Sequence, residues 1–197
     1  MKRIGLTGGI GSGKSYIARI LEKMGYPVYY SDEQSKALTD THPLIREKLK
    51  GRFGREIYTE QGLNRKLLAE FIFASEEHRL FVNELIHPLV RNNFEHWCLE
   101  QRSPIVFNEA AILFETGAYR QFDGTLLVVA PLELRIERVM QRDRCSQKEV
   151  EERMKSQWSD EQKIPLATCI VMNDGKSPLL SQLEGVIASL STAKKTR

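Results

Sequence analysis

Residues 7–15 of the chain read Thr7-Gly8-Gly9-Ile10-Gly11-Ser12-Gly13-Lys14-Ser15, and four of the six residues from Gly8 to Gly13 are glycine. Glycine opens backbone angles that are closed to other residues, so successive N–H groups can curl inward around an anion. Such a loop needs a strand to feed it and a helix to receive it. The helix N-terminus adds unpaired N–H groups and the positive end of a dipole. Both flanks are present: Ile4-Gly5-Leu6 is a short apolar run, and Ile17, Ile20, Leu21 and Met24 form one helical stripe. Gly8–Ser15 matches GxxxxGK[ST], in which Lys14 reaches the β- and γ-phosphates and the Ser15 hydroxyl ligates Mg²⁺. A random chain of this length would contain the pattern with probability on the order of 1 in 100, before the flanks are considered. The expected ATP contacts are Gly9, Gly11, Ser12, Gly13, Lys14, Ser15 and Tyr16.

Four further apolar runs follow: Val28–Tyr30, Ile105–Phe107, Leu126–Val129 and Cys169–Met172. They are continuous rather than alternating, as in strands buried on both faces of a parallel sheet. A second helical stripe, Leu132, Ile136, Val139 and Met140, lies between the last two. Strand-then-helix alternation predicts right-handed crossovers and an α/β fold, a five-stranded parallel sheet flanked by helices. Residues 32–102 separate the second and third strands and read as wholly helical, too long for a simple crossover. They are expected to form an inserted subdomain, and the polar stretch 141–165 a lid. The core is then 1–31, 103–140 and 166–197 of a single domain. Ser31…Gln34, Ser146…Glu149 and Ser159…Gln162 fit capping boxes, and Ser177-Pro178 fits an N-cap with proline at the first helical position. The tail Lys194–Arg197 is expected to fray.

With 197 residues, one domain would bury roughly 70% of the unfolded chain's surface. The net charge of +3 suits phosphorylated ligands and is too small to argue for nucleic acid. Cys98, Cys145 and Cys169 are odd in number without CxxC spacing, which predicts reduced thiols in a cytosolic protein. Met1-Lys2-Arg3 would suit a signal peptide, but glycines interrupt the apolar run behind it, and no stretch approaches the ~20 apolar residues of a membrane span. The cysteines, Trp97 and Trp158 are read as packing residues.

Asn-Lys-x-Asp, the guanine-reading motif of GTPases, is absent, as is the Leu-Ser-Gly-Gly-Gln signature of transport ATPases. A short chain with an insert after strand two and a polar excursion before the last strand fits the small-molecule kinases. Ile4–Ser15 is similar to the opening of the dephospho-coenzyme A kinases. The resemblance continues through Gly62–Leu68, Ile86–Val90, Ile112–Glu115, Arg138…Arg142-Asp143, Gln157…Lys163 and Asn173, in the family's order across nearly the whole chain. It implies transfer of the ATP γ-phosphoryl group to the ribose 3′-hydroxyl of dephospho-CoA, the last step of coenzyme A biosynthesis, with Mg²⁺. Two other readings stay open: a kinase for a nucleoside monophosphate or another small alcohol, and a nucleotide-dependent regulatory protein.

Asp32, just past strand two at the carboxyl end of the sheet, is the candidate general base. Its alternative is an acidic residue stabilising a helix dipole. Where the family usually shows Asp-Ala-Asp, this chain has Tyr30-Ser31-Asp32, and Asp32 matches the second aspartate. Glu109 ends the third strand, where the family often has aspartate; it reads as a Mg²⁺ contact through water or as a strand-end charge facing solvent. Ala111 stands where the family has proline. Arg135, Arg138 and Arg142 share one helical face with no acidic residue three or four positions away. They form either a solvated basic face or, for Arg142 and Arg138, a lid over the ATP phosphates, where guanidinium suits spread charge. The resemblance places Arg65 and His87, with Lys66 and Arg91, at the acceptor, although His87 before Pro88 also reads as a helix boundary. It places Asn173 at adenine, although Asn173-Asp174-Gly175 is by itself a turn signal.

Overall fold

In the computed structural model, described for residues 1–192, the elements in chain order are β1 (Lys2–Gly8), α1 (Lys14–Lys23), β2 (Val28–Tyr30), α2 (Ser31–Thr41), α3 (Pro43–Phe53), β3 (Tyr58–Thr59), β4 (Gly62–Leu63), α4 (Arg65–Ala74) and α5 (Glu76–Glu100). There follow β5 (Ile105–Glu109), β6 (Gly124–Val129), α6 (Leu132–Asp143), α7 (Gln147–Met154), α8 (Asp160–Lys163), β7 (Cys169–Met172) and α9 (Leu179–Thr192). The tail Lys194–Arg197 lies outside the described residues. The chain divides into two units: Met1–Tyr30 with the chain from Gln101 onward, and Ser31–Glu100.

All five expected strands form one sheet in the first unit, ordered β2-β5-β1-β6-β7 with every pair parallel. Burial explains the unbroken apolar runs: all five residues of β5 and all six of β6 are buried. Ile17, Ala18 and Leu21 of α1 and Leu183, Val186 and Leu190 of α9 pack with Ile4, Leu6, Phe107, Leu126 and Val128 of the sheet. Each such side chain contributes about 1.5–3 kcal/mol on burial. The edge strand β7 is closed by Gln182, whose amide donates to Met172 O at 3.0 Å and accepts from Met172 N–H at 2.9 Å. From β1 the chain builds first toward β2 and later toward β6 and β7. The carboxyl end of β1 is therefore a topological switch point, the place where sheets of this kind bind ligands.

The second unit departs from the expected all-helical segment. Tyr58–Thr59 and Gly62–Leu63 pair as an antiparallel ribbon, with Gly62 at φ +110° opening β4 directly after the turn. Two-residue strands are too short for an alternating pattern to announce them. The core of this unit contains Ile45, Leu49, Phe53, Ile57, Tyr58, Leu63, Leu68, Val82 and Ile86. His87-Pro88 marks no helix end, because α5 runs through Pro88 for 25 residues. Proline there leaves the Glu84 carbonyl without its helical donor, and the buried side chains Val82, Ile86, Phe94 and Cys98 on both sides of it hold the helix together.

The capping boxes at Ser146–Glu149 and Ser159–Gln162 form as expected. Ser31 is instead the first residue of α2, and α9 begins at Leu179. The three cysteines remain thiols. Trp97 stacks on Phe94, whereas Trp158 is exposed rather than packed. Among the described residues no helix is long and apolar enough to cross a membrane.

Candidate active site

The glycine loop leaves β1 at the switch point and enters α1 at Lys14. Gly11 and Gly13 adopt φ +79° and +88°, angles that other residues take only at a cost of roughly 1–2 kcal/mol. Close neighbours exclude a side chain as well. A Cβ on Gly13 would meet Asn173 Nδ2 at 2.1 Å, one on Gly11 would meet Arg135 O at 2.4 Å, and one on Gly9 would meet Arg135 Nη2 at 2.2 Å. The loop is closed by Ser12 N–H to Gly9 O at 3.0 Å, and Tyr16 N–H donates to Gly13 O at 2.9 Å.

Lys14 Nζ forms an ion pair with Glu109 Oε1, and the Ser15 hydroxyl donates to the same oxygen at 3.2 Å. Glu109 is only 4% exposed, so it does not face solvent. It is in register with Leu6 on β1 and with Tyr30 on β2. A hydroxyl and a carboxylate oxygen meeting beside a phosphate loop fit Mg²⁺, which takes one or two protein oxygens and fills its shell with phosphates and water. Among the described residues no cluster of three His, Cys, Asp or Glu offers an all-protein metal cage. At the position of the family's first aspartate, the Tyr30 hydroxyl donates to Glu22 Oε2 at 2.9 Å. Burial first, then that hydrogen bond and the carboxylates of Glu22 and Glu109, push its pKa above the ordinary 10.0. Tyr30 is thus a neutral donor.

The three arginines of α6 meet three different environments along one face. Arg135 is buried; its Nε donates to Ile10 O at 2.9 Å, and its Nη1 pairs with Asp160 at 3.2 Å. Its burial takes it out of a solvated face, and its partners come from the glycine loop and from α8. Arg138 donates to Asn173 O at 3.1 Å. Arg142 is exposed and pairs with the adjacent Asp143 through Nε at 2.7 Å and Nη2 at 3.0 Å; Arg153 reaches Asp143 at 2.8 Å. These bonds hold the Asp143 carboxyl below its ordinary pKa, Arg142 having the larger effect. A partner one residue away escapes the three-and-four spacing rule.

Asn173 is buried at the end of β7 and donates from Nδ2 to Ser12 O at 2.8 Å, tying the last strand to the glycine loop. Asp174 accepts from the N–H groups of Lys176 and Ser177 and from the Ser177 hydroxyl, which brings its carboxyl down to about 2. Gly175 closes this turn at φ +79°. Gly13, Tyr16, Arg138, Asn173, Gly175 and Leu179 line a cleft of about 520 Å³ beside the loop.

In the second unit Asp32 is exposed in the first turn of α2, two residues beyond β2. Arg65 Nη2 donates to Asp40 Oδ2 at 2.6 Å and to Lys36 O at 3.3 Å. Lys66 is exposed beside it in sequence. His87 and Arg91 stand one turn apart on α5. Partial burial, and after it the Arg91 guanidinium, lower the His87 imidazole from its ordinary 6.5. Gln157, not singled out as a site residue by the sequence reading, bonds the loop directly, and Glu115 and Lys163, likewise not singled out, hold the segment that carries it. Gln157 accepts from Ile10 N–H at 2.8 Å, and Lys163 pairs with Glu115 at 2.9 Å. Single polar residues in a polar stretch carry no local signal of this kind.

A five-stranded parallel sheet of this order, with the glycine loop at its switch point and Lys14, Ser15 and Glu109 converging there, defines a P-loop kinase. Comparison with known proteins narrows the class. The sequence profile of the dephospho-CoA kinase family matches residues 2–178. A dephospho-CoA kinase of Bacteroides fragilis is 45% identical over 193 residues, 95% of this chain and 92% of its own. A crystal structure from Thermus thermophilus superposes with a TM-score of 0.83 at 36% identity, covering 98% of each chain. A dephospho-CoA kinase from Campylobacter jejuni gives 0.68 at 27% identity over 96% of each. The chain belongs to the dephospho-CoA kinase family.

Proposed function

We propose that this chain transfers the γ-phosphoryl group of ATP to the ribose 3′-hydroxyl of dephospho-CoA, giving CoA and ADP, the last step of coenzyme A biosynthesis. The observation that carries the proposal is the convergence of Lys14, Ser15 and buried Glu109 at the mouth of the glycine loop, in a chain matched by the family's profile over residues 2–178. Gly9, Gly11, Ser12, Gly13, Lys14, Ser15 and Tyr16 bind ATP, the N–H groups of Gly11, Gly13, Lys14 and Ser15 reaching the phosphates while those of Ser12 and Tyr16 hold the loop, with the Lys14 ammonium at the β,γ bridge. The cleft bounded by Gly13, Arg138 and Asn173 takes the nucleoside.

Asp32 accepts the proton of the acceptor hydroxyl as its oxygen attacks the γ-phosphorus. The bond from that phosphorus to the β,γ-bridging oxygen breaks, and ADP leaves with the electron pair. Positioning and charge stabilisation account for nearly all catalysis of this kind. Arg142 and Arg138 close over the equatorial oxygens, where planar guanidinium spreads charge, and the 141–165 lid excludes water that would hydrolyse ATP. Mg²⁺, held through Ser15 and Glu109, would neutralise charge between the β- and γ-phosphates. Arg65, Lys66, His87 and Arg91 bind the acceptor, whose pyrophosphate matches cationic groups. The setting is the cytoplasm.

ADP release measured across candidate acceptors tests this reading. Stimulation by dephospho-CoA supports it. Stimulation by nucleoside monophosphates instead would assign another small-molecule kinase, and release independent of any acceptor would leave a nucleotide-dependent regulator.

A further inference from the structure

Residues 157–163, the polar approach to α8 and α8 itself, are fastened to the rest of the first unit by several side chains. Gln157 accepts from Ile10 N–H at 2.8 Å through Oε1 and donates from Nε2 to Ala111 O at 3.3 Å. Trp158 N–H donates to Glu115 Oε1 at 3.1 Å. The Lys163 side chain is fully buried and pairs with that same oxygen at 2.9 Å. Asp160 pairs with Arg135, itself bonded to Ile10 O. Buried ion pairs are an expensive way to hold a turn, since desolvation offsets most of their attraction and apolar packing would serve as well. What polar groups supply is a definite orientation for whatever they grip.

Here they grip one residue from both sides. The Ile10 N–H goes to Gln157 and the Ile10 carbonyl to Arg135, so each of the two peptides flanking Ile10 has one polar group bonded outside the loop, and their opposite ends turn inward, the Gly9 carbonyl to Ser12 N–H and the Gly11 N–H away from the Ile10 carbonyl. We infer that Gln157 and Arg135 are positioning residues for phosphate binding. By fixing the 9–10 and 10–11 peptides, they set the rotation at which the N–H groups of Gly11, Gly13, Lys14 and Ser15 enter the cradle. The Arg135 backbone packs where a Gly11 Cβ would lie and its guanidinium where a Gly9 Cβ would lie, which limits the loop to that rotation. The root of the lid stretch thereby reports directly on the phosphate loop.

The inference rests on Gly8–Ser15 being the nucleotide cradle, and its test separates the two. Wild type and Gln157→Met, which keeps the length and removes both hydrogen bonds, are titrated with ADP, tripolyphosphate and adenosine, and KM is measured for ATP and for dephospho-CoA. The expected result is an approximately tenfold loss for ADP and tripolyphosphate, a matching rise in KM for ATP, and unchanged values for adenosine and dephospho-CoA. Phosphate-dependent affinity within twofold of wild type would overturn the inference, and so would an equal loss for adenosine, which marks general loosening of the fold. Should Gln157→Met not fold, Arg135→Lys keeps a buried charge near Asp160 while withdrawing the Nε donor, and the same pattern is required of it. Wild-type protein that bound neither ADP nor tripolyphosphate would instead refute the cradle itself.

Discussion

Replacing Glu109 by glutamine changes one charge at nearly constant volume, in a place where that charge pairs with Lys14 and is proposed to hold Mg²⁺. The Lys14 and Glu109 side chains are 14% and 5% exposed. Removing one partner of a buried pair costs about 3–5 kcal/mol. Lys14 keeps some access to water, and a glutamine oxygen still accepts from Ser15, so the loss should fall near 2–3 kcal/mol. For a chain of this size that is a fall in Tm of about 4–12 °C. Nucleotide then acts in opposite senses with and without metal. Without Mg²⁺, the variant presents an uncontested ammonium and no carboxylate to repel the phosphates, so ATP should bind about tenfold more tightly than to wild type, or about 1.4 kcal/mol. With Mg²⁺, the lost carboxylate should raise the metal concentration for half-maximal turnover by about 10–100-fold. Scanning calorimetry gives the first quantity, ATP titration in chelator the second, and turnover against Mg²⁺ the third. A variant as stable as wild type, with the same metal requirement, would refute the idea that Glu109 serves both Lys14 and the cation.

Asp32→Asn should leave ATP affinity within twofold while lowering turnover at least a hundredfold, about 2.7 kcal/mol of barrier; near-normal turnover would remove Asp32 as the base. Arg142→Ala should slow single-turnover phosphoryl transfer at least about tenfold with little change in Tm, because its pair with Asp143 is exposed; an unaltered rate would refute its lid role. The His87 imidazole should titrate by NMR below 6.5, its proton disfavoured first by burial and then by Arg91. Because its folded pKa is depressed, the stability contribution is complete above 6.5 and is lost as the pH falls through the folded value. An anionic acceptor beside His87 favours its charged form, so dephospho-CoA should bind more tightly near pH 6 than near pH 8 in wild type and not in His87→Gln.

The parallel sheet was legible because its inner strands are buried on both faces: Leu126–Val129 could only be written as an unbroken apolar run, whereas Cys169–Met172, equally apolar, lies at the sheet edge with Ile170 and Met172 exposed. The ribbon at Tyr58–Leu63 was not legible, since two residues per strand leave no period to read. Pro88 misled for a related reason. Local rules end a helix near proline, and only the buried residues on either side of it carry α5 through. In the site, the glycines of the loop announced their type, while the groups that require them arrive from afar: Arg135 from 125 positions beyond Ile10 and Asn173 from 161 beyond Ser12. Glu109 could be read as a strand-end charge, yet its burial against Lys14 depends on the register of β5 with β1. The Arg142–Asp143 pair lies in plain view in the sequence but outside the helical spacings at which ion pairs are sought.

The central claim is tested most directly by following the label from [γ-³²P]ATP in the presence of dephospho-CoA and Mg²⁺, and locating the phosphate in the product by NMR. The account predicts labelled CoA phosphorylated at the ribose 3′-oxygen, one ADP for each CoA formed, and no transfer by Lys14→Ala. Label released to water as inorganic phosphate, or carried by any other acceptor in preference to dephospho-CoA, would contradict it.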